Sequence, residues 1–424
     1  MKYFTEYKKP ILICIGFLFF MGVIKAQDMS SAQLLLQQKD YARAKEAVDS
    51  LVLIPDANAA IWLLKADVYN TISKDTDARN LVADARQEAF QALQKAMQLN
   101  PGEVNTQLKS SGFGLPFDLY NSYTNTGITF FNAGVERNDK GSYKEALTNF
   151  KQAGLISRYI YANGWGLSAT DTVNLYYTAK AAINTDKEED AVFYCKKIID
   201  NNITETAAHN DFENIYQWLV YYYKTRQDKA NFTKYADAGM KAFPNSNYFN
   251  LSYIDWYRQQ KDYANLLTQY KILFAKDDAN GKYQLEYYND VFNYLYQSKA
   301  EITDRQQDRH QYQTLLTNGL TGYLKLNPTS TAARLLLGKF YINQATEVNK
   351  VMMLRSTTNA TVLNEYRVAT NYYYKISNWY LLEIVNKFSK TDTIIYNEAL
   401  SLLIMNFRML KMTKEVRKYQ GKFK

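Results

Sequence analysis

Few side chains in this sequence could carry chemistry: two histidines, two cysteines, and tyrosine, which occurs 37 times. A zinc site needs a compact set of Cys and His ligands, and nucleophilic catalysis needs a base beside the nucleophile. His209 and His310 stand far apart in polar surroundings and read as surface residues. Cys195 falls on an apolar helix face, with no histidine nearby to lower its pKa, and reads as a buried structural thiol. Gly112-Phe113-Gly114 lacks the further Gly, Lys and Ser/Thr of a phosphate-binding loop. The many carboxylates sit on amphipathic patterns and read as solvated faces. The expectation is a protein without catalytic residues, cofactor or metal.

The tyrosines are a different matter. Tyr221-Tyr222-Tyr223, Tyr287-Tyr288, Tyr294, Tyr296 and Tyr372-Tyr373-Tyr374 lie in helical patterns. Consecutive helical residues point about 100° apart, so each triplet must both bury and expose rings. Two readings follow. The rings pack between helices with their hydroxyls toward water, or they line an aromatic groove for a peptide, a partner helix or a glycan.

The elements that would position these residues are helices. With 47% hydrophobic and 15% aromatic residues the chain is too apolar to be disordered, and 17 Gly and six Pro starve a β-rich fold of turns. Residues 1–26 read as a signal peptide: Lys2, Lys8 and Lys9, an apolar core from Ile11 to Ile24, then Lys25-Ala26-Gln27 as the cleavage site. That core is shorter than the roughly 20 residues of a membrane span. Cys14 lies inside it, after Ile13, which is the wrong place for lipidation. Removing 1–26 leaves 47 basic and 41 acidic residues, +6 instead of +9, with no block of five like charges. That is a poor footprint for nucleic acid. Only Cys195 would remain, which excludes an intramolecular disulfide. Ile394 to Leu410 is interrupted by Asn397, Glu398, Asn406 and Arg408 and reads as a buried helix. The sequons at Asn202, Asn231, Asn250 and Asn359 are chance matches in an Asn-rich chain, and Asn231 and Asn250 fall within helices.

Repetition is the strongest signal. Ala89, Leu93, Ala96 and Pro101 share their spacing with Phe232, Ala236, Gly239 and Pro244, and with Leu316, Leu320, Tyr323 and Pro328. Ala146/Phe150/Ala153, Ala191/Cys195/Ile198 and Leu266/Tyr270/Leu273 repeat it without the proline. Partner faces precede them at Trp62/Ala66/Tyr69, Phe130/Gly134, Leu175/Ala179/Ala182 and Leu337-Gly338/Tyr341. Small residues at 66, 134, 179 and 338 would let paired helices approach closely.

On these residues the chain resembles the tetratricopeptide repeat family, most closely at Leu337-Gly338-Tyr341 and at Ala89, Ala96 and Pro101. The resemblance covers most of 30–345, although only one repeat spacing equals the family's 34. It implies an all-α fold, a right-handed α-solenoid of antiparallel helix pairs. The expected organisation is a signal peptide at 1–26, helix pairs at 27–108, a connector at 109–117, a central array at 118–345, and longer closing helices at 346–424. The resemblance also implies that the first helix of each pair lines a concave, partner-binding surface. On this chain those positions are Asp67, Asn70, Asn138, Tyr176, Lys180, Tyr221, Lys224, Asp255, Arg258 and Lys339, a mixture suited to an acidic peptide. The expected function is an exported, non-catalytic scaffold binding protein or peptide partners in the cell envelope. Composition and the signal junction look like exported proteins of Bacteroidota-type bacteria, which places it in the periplasm. The alternative is a glycan-binding accessory of polysaccharide uptake.

Overall fold

A computed structural model describes residues 28–207, 209–276, 281, 283–297, 306–354, 359–387 and 392–423. The signal-peptide reading of 1–26 lies outside the described residues. Those residues form helices and turns, with no strand among them. Two compact units, Met1–Leu219 and Val220–Lys424, divide within one helix.

The first unit holds α1 (residues 28–37), α2 (Tyr41–Val52), α3 (Ala59–Lys74), α4 (Ala85–Leu99), α5 (Pro101–Ser110), α6 (Gly114–Arg137), α7 (Lys140–Ala162), α8 (Thr172–Ile183), α9 (Glu188–Asp200) and the start of α10 (Glu213–Thr225). The second holds the end of α10, then α11 (Lys229–Ala242), α12 (Tyr248–Gln260), α13 (Tyr263–Lys276) and α14 (Gln284–Gln297). It continues with α15 (Gln306–Leu326), α16 (Thr331–Leu354), α17 (Ala360–Lys387), α18 (Thr393–Met409) and α19 (Thr413–Gln420).

One turn recurs and makes the pairs. Lys39, Asn138, Gln227 and Lys261 each take a left-handed conformation, with φ of 60°, 49°, 57° and 57°. Each is followed by an aspartate that opens the next helix. Asp40 accepts the Arg43 N–H at 3.3 Å, Asp139 that of Ser142 at 2.9 Å, Asp228 that of Asn231 at 3.1 Å, and Asp262 that of Asn265 at 3.2 Å. The aspartate satisfies an orphan donor of the new helix, an effect worth about 1 kcal/mol. A link of two or three residues forces the joined helices to run antiparallel.

Packing follows the pairs. In the first unit α3 packs on α4, α6 on α7 and α8 on α9, while the first helices also meet one another, α3 with α6 and α6 with α8. In the second unit α12 packs on α13, α14 on α15, α16 on α17 and α18 on α19, and α16 touches both α14 and α18. Neighbours at one and two steps along the chain are what stacked helix pairs produce. The fold is all-α, of the α-solenoid class, as the sequence led us to expect.

The small residues do the expected work. Ala66 and Ala179 are fully buried. A Cβ added at Gly338 would stand 2.7 Å from Leu381, so α16 and α17 approach as closely as they do only because that position has no side chain. The anticipated connector differs in detail. Lys109 and Ser110 close α5, Ser111–Phe113 make the turn, and α6 starts at Gly114. Pro101 explains the extra helix, since its fixed φ suits a first helical position. The boundary expected at 345 falls inside α16, which is one continuous helix.

Candidate functional site

Tyrosine is accommodated by pairing with aspartate. Tyr69 donates to both carboxylate oxygens of Asp49 at 2.9 and 2.8 Å, Tyr120 to Asp171 at 2.7 Å, Tyr253 to Asp237 at 2.8 Å, and Tyr270 to Asp290 at 3.0 Å. Burial and these carboxylates push the phenol pKa of each upward, so the hydroxyls stay protonated donors. Most rings therefore serve packing between helices. The triplets divide by angle: Tyr221 and Tyr372 are exposed, Tyr222 and Tyr373 half-buried, Tyr223 and Tyr374 buried.

The ten positions of the expected concave face do not behave alike. Asn138 is the exposed, left-handed residue that ends α6. Asn70 is buried and its Nδ2 lies 3.4 Å from Asp118, whose carboxylate also takes the Lys74 ammonium at 2.7 Å. Asp67 borders a cavity of about 430 Å³ with Leu63, Leu64, Leu108 and Leu115. Enclosure there raises its carboxyl pKa, Lys74 opposing and Asp118 adding to the rise. Tyr176 is buried, donates to Asp211 at 2.5 Å, and is stacked by the His209 ring at 4.3 Å. His209 is thus half-buried against aromatic rings and not the surface residue expected; the paired rings of Tyr176 and Tyr177 give it an apolar seat. His310 is exposed, as expected.

The cations share one arrangement. Lys180 pairs with Asp211 at 3.1 Å, Lys224 with Asp255 at 3.3 Å, and Arg258 with Asp290 at 2.8 Å and Asp255 at 3.0 Å. Lys339 pairs with Glu398 at 2.5 Å. In each case the base sits on one first helix and an acid comes from, or just before, the next first helix. The separations in sequence are 31, 31 and 32 residues for the first three rungs. The Arg258 rung is the strongest. Asp290 is 1% exposed and takes the guanidinium through both oxygens, with Tyr270 completing its shell. Burial alone would lower the Arg258 pKa; the Asp290 hydrogen bond and charge outweigh it and raise it. A bidentate pair with its remaining lone pair satisfied is the arrangement in which a buried charge is tolerated.

Asp255, Arg258 and Lys339, members of the rungs of the second unit, border a cleft. In the second unit a groove of about 710 Å³ is floored by Leu285, Leu335, Leu336 and Ile395, with Asp255, Arg258, Glu286 and Lys339 on its walls. Its residues come mainly from the first helices α12, α14, α16 and α18. Asp255, Arg258 and Lys339 were expected here. Leu285 and Glu286 were not, nor was Asp290, the partner of Arg258, because no repeat frame is recognisable on α14. The 32-residue step from Arg258 would have found Asp290.

Among the described residues no group of three His, Cys, Asp or Glu could hold a metal, and no helix is long and apolar enough to cross a membrane. Cys195 is buried, and burial pushes its thiol pKa far up, away from the thiolate a nucleophile needs.

The helices and their stacking define a helical-repeat protein of the α-solenoid class. No protein-family model matches the chain, and no curated protein matches it. Among solved structures, it is similar to the crystal structure of the P58(IPK) TPR domain, at 11% identity over 92% of this chain and 99% of that one, with a TM-score of 0.24. It is also similar to a circular tandem repeat protein of novel repeat topology, at 8% identity over 95% and 88% of the two chains, with a TM-score of 0.19.

Proposed function

We propose that the protein is an exported, non-catalytic scaffold that binds a protein or peptide partner of the bacterial cell envelope in the groove of its second unit. The observation that carries this reading is the groove itself: an apolar floor about 710 Å³ in volume, built from several repeats, rimmed by charges that are already paired. Paired charges leave little free cation for an acidic peptide, so recognition falls to apolar side chains of the partner. These would fill the space over Leu335 and Leu336, with the rim fixing orientation. Export rests on the basic and apolar pattern of residues 1–26, and a periplasmic address in a Bacteroidota-type cell on the composition around it.

The test is a photo-crosslinking residue placed at Tyr323, on the groove, or at Phe193, an exposed position in the first unit, in intact cells. A discrete protein adduct from position 323 and none from 193 supports the reading. Adducts from neither position, or the same adducts from both, would sink it. Retention of the purified protein on polysaccharide, lost on Leu336→Lys, would replace the peptide by a glycan.

A further inference from the structure

The cavity of about 430 Å³ in the first unit lies among α1, α3, α5 and the start of α6. Small-molecule pockets begin at about 300 Å³, so it has room for a long side chain or a compact organic molecule. Met29, Leu63, Leu64, Leu108 and Leu115 give it an apolar wall. Asp67 is the single charge among the described residues that line it. Ala60, Leu63, Leu64 and Asp67 all border the cavity and follow the three-and-four spacing of one helix face, so the carboxylate stands on the side of α3 that the leucines present to it.

That carboxylate has no partner. Among the described residues it makes no ion pair and accepts no side-chain hydrogen bond, unlike the acids of the rungs. Lys74, which could have served it, is taken by Asp118 at 2.7 Å. Asp67 is open to water, yet the surrounding protein strips enough hydration to raise its carboxyl pKa, with Lys74 opposing and Asp118 adding to the rise. A carboxylate that has lost hydration without gaining a cation is a site of unmet attraction.

The neutral polar groups of the lining have spent their donors elsewhere. The Gln107 Nε2 lies 3.4 Å from Glu103 Oε1, and an ionised carboxylate only accepts, so the amide's oxygen end is left to offer. Ser111 Oγ donates to the Leu108 carbonyl at 3.0 Å and keeps its lone pairs. The cavity therefore offers acceptors above hydrocarbon, and its lining holds no aromatic ring for a cation without N–H groups.

We infer that this cavity binds an aliphatic primary ammonium, the chemistry of a free alkylamine or of a lysine side chain. The hydrocarbon lies against the leucines, and the ammonium donates to the Asp67 carboxylate, with the Gln107 and Ser111 oxygens as further acceptors. The site is independent of the groove in the second unit, and its partner carries the opposite charge to an acidic peptide.

The experiment is calorimetric titration of the full chain at neutral pH and constant ionic strength with pentylammonium. Saturable binding is expected. Ethylammonium should bind at least about tenfold weaker, since each buried methylene is worth about threefold to fourfold. Pentanol, which lacks the charge, and pentyltrimethylammonium, which lacks the donors, should each bind at least about tenfold weaker. N-acetyl-lysine N-methylamide separates the sources. Binding as tight as that of pentylammonium assigns the site to a partner's lysine, and its exclusion assigns it to a free amine. Asp67→Asn should weaken pentylammonium at least about tenfold without lowering the melting temperature, because it removes an unpaired charge. Ala60→Leu, a good helix former that fills the cavity, is the second variant and should also weaken binding. No saturable pentylammonium binding, equal binding of any of the three controls, or variants that bind as the parent does would each overturn the assignment.

Discussion

The groove of the second unit and the small cavity of the first are built from the same residue types and treat charge in opposite ways. In the second unit, the groove cations Arg258 and Lys339, and Lys224 beside them through Asp255, each meet an acid from the next first helix, so their charge is consumed in holding helices together. At the cavity, a space of about 40 Å³ among α7, α8 and α9, the bordering Arg158 and Lys197 meet no acid among the described residues. The number of basic residues on a surface thus says little about what it attracts. Whether each is already paired decides it.

The largest test of this contrast is removal of the buried acid. Asp290→Ala would leave the Arg258 guanidinium only its half-exposed partner Asp255 and take the acceptor from the Tyr270 hydroxyl, and should cost the second unit about 3 kcal/mol. Urea unfolding followed by aromatic fluorescence would measure it. An effect under about 1 kcal/mol would mean that the rung is ornamental and the contrast false.

A smaller change sharpens the other side. Asp190→Asn releases Lys151 from its half-exposed partner. The change should cost less than about 1 kcal/mol, in keeping with the modest worth of an exposed pair. A loss as large as that of Asp290→Ala in the same urea measurement would erase the contrast.

The smallest effect concerns pH. Burial pushes the Asp211 carboxyl up, but hydrogen bonds from Tyr176 and Lys180 outweigh it and hold its pKa below the ordinary carboxylate value. A lowered folded pKa contributes stability above the unfolded value, lost as pH falls through the folded one. Between about pH 5 and pH 3 the parent should therefore lose more stability than Asp211→Asn. The difference should stay below about 1 kcal/mol, because Asp211 is 44% exposed and screened by solvent. Thermal melts across that range would reveal it, and parallel curves for the two proteins would remove the Lys180 rung from the set.

Much of the fold was legible because close helix packing leaves a local mark. Small residues at 66, 134, 179 and 338, and alternating apolar faces, are set by contacts within a few turns of one helix. The site was legible only by halves. The bases Lys180, Lys224, Arg258 and Lys339 and the acid Asp255 stand on recognisable helix faces, whereas Asp211, Asp290 and Glu398 come from the following repeat, where nothing local marks them. Asn138 misled because the motif position it occupies falls after α6 has ended. Gln107 and Ser111 escaped notice because a cavity among several helices has no signature in any one of them. His209 was misjudged for the same reason: its polar sequence neighbours hide the rings it stacks on.

The rungs have a further consequence for how such a chain could change its length. From α10 through α12 to α14, a first helix offers a base to its successor and takes one on an acid from its predecessor, like a plug and a socket. Lys224 and Arg258 stand 34 positions apart, and Asp255 and Asp290 stand 35. Excising one such module would bring Lys224 opposite Asp290 and re-form the junction, and copying one would add a junction of the same kind. A chain joined in this way can be cut or extended by whole repeats with its seams intact.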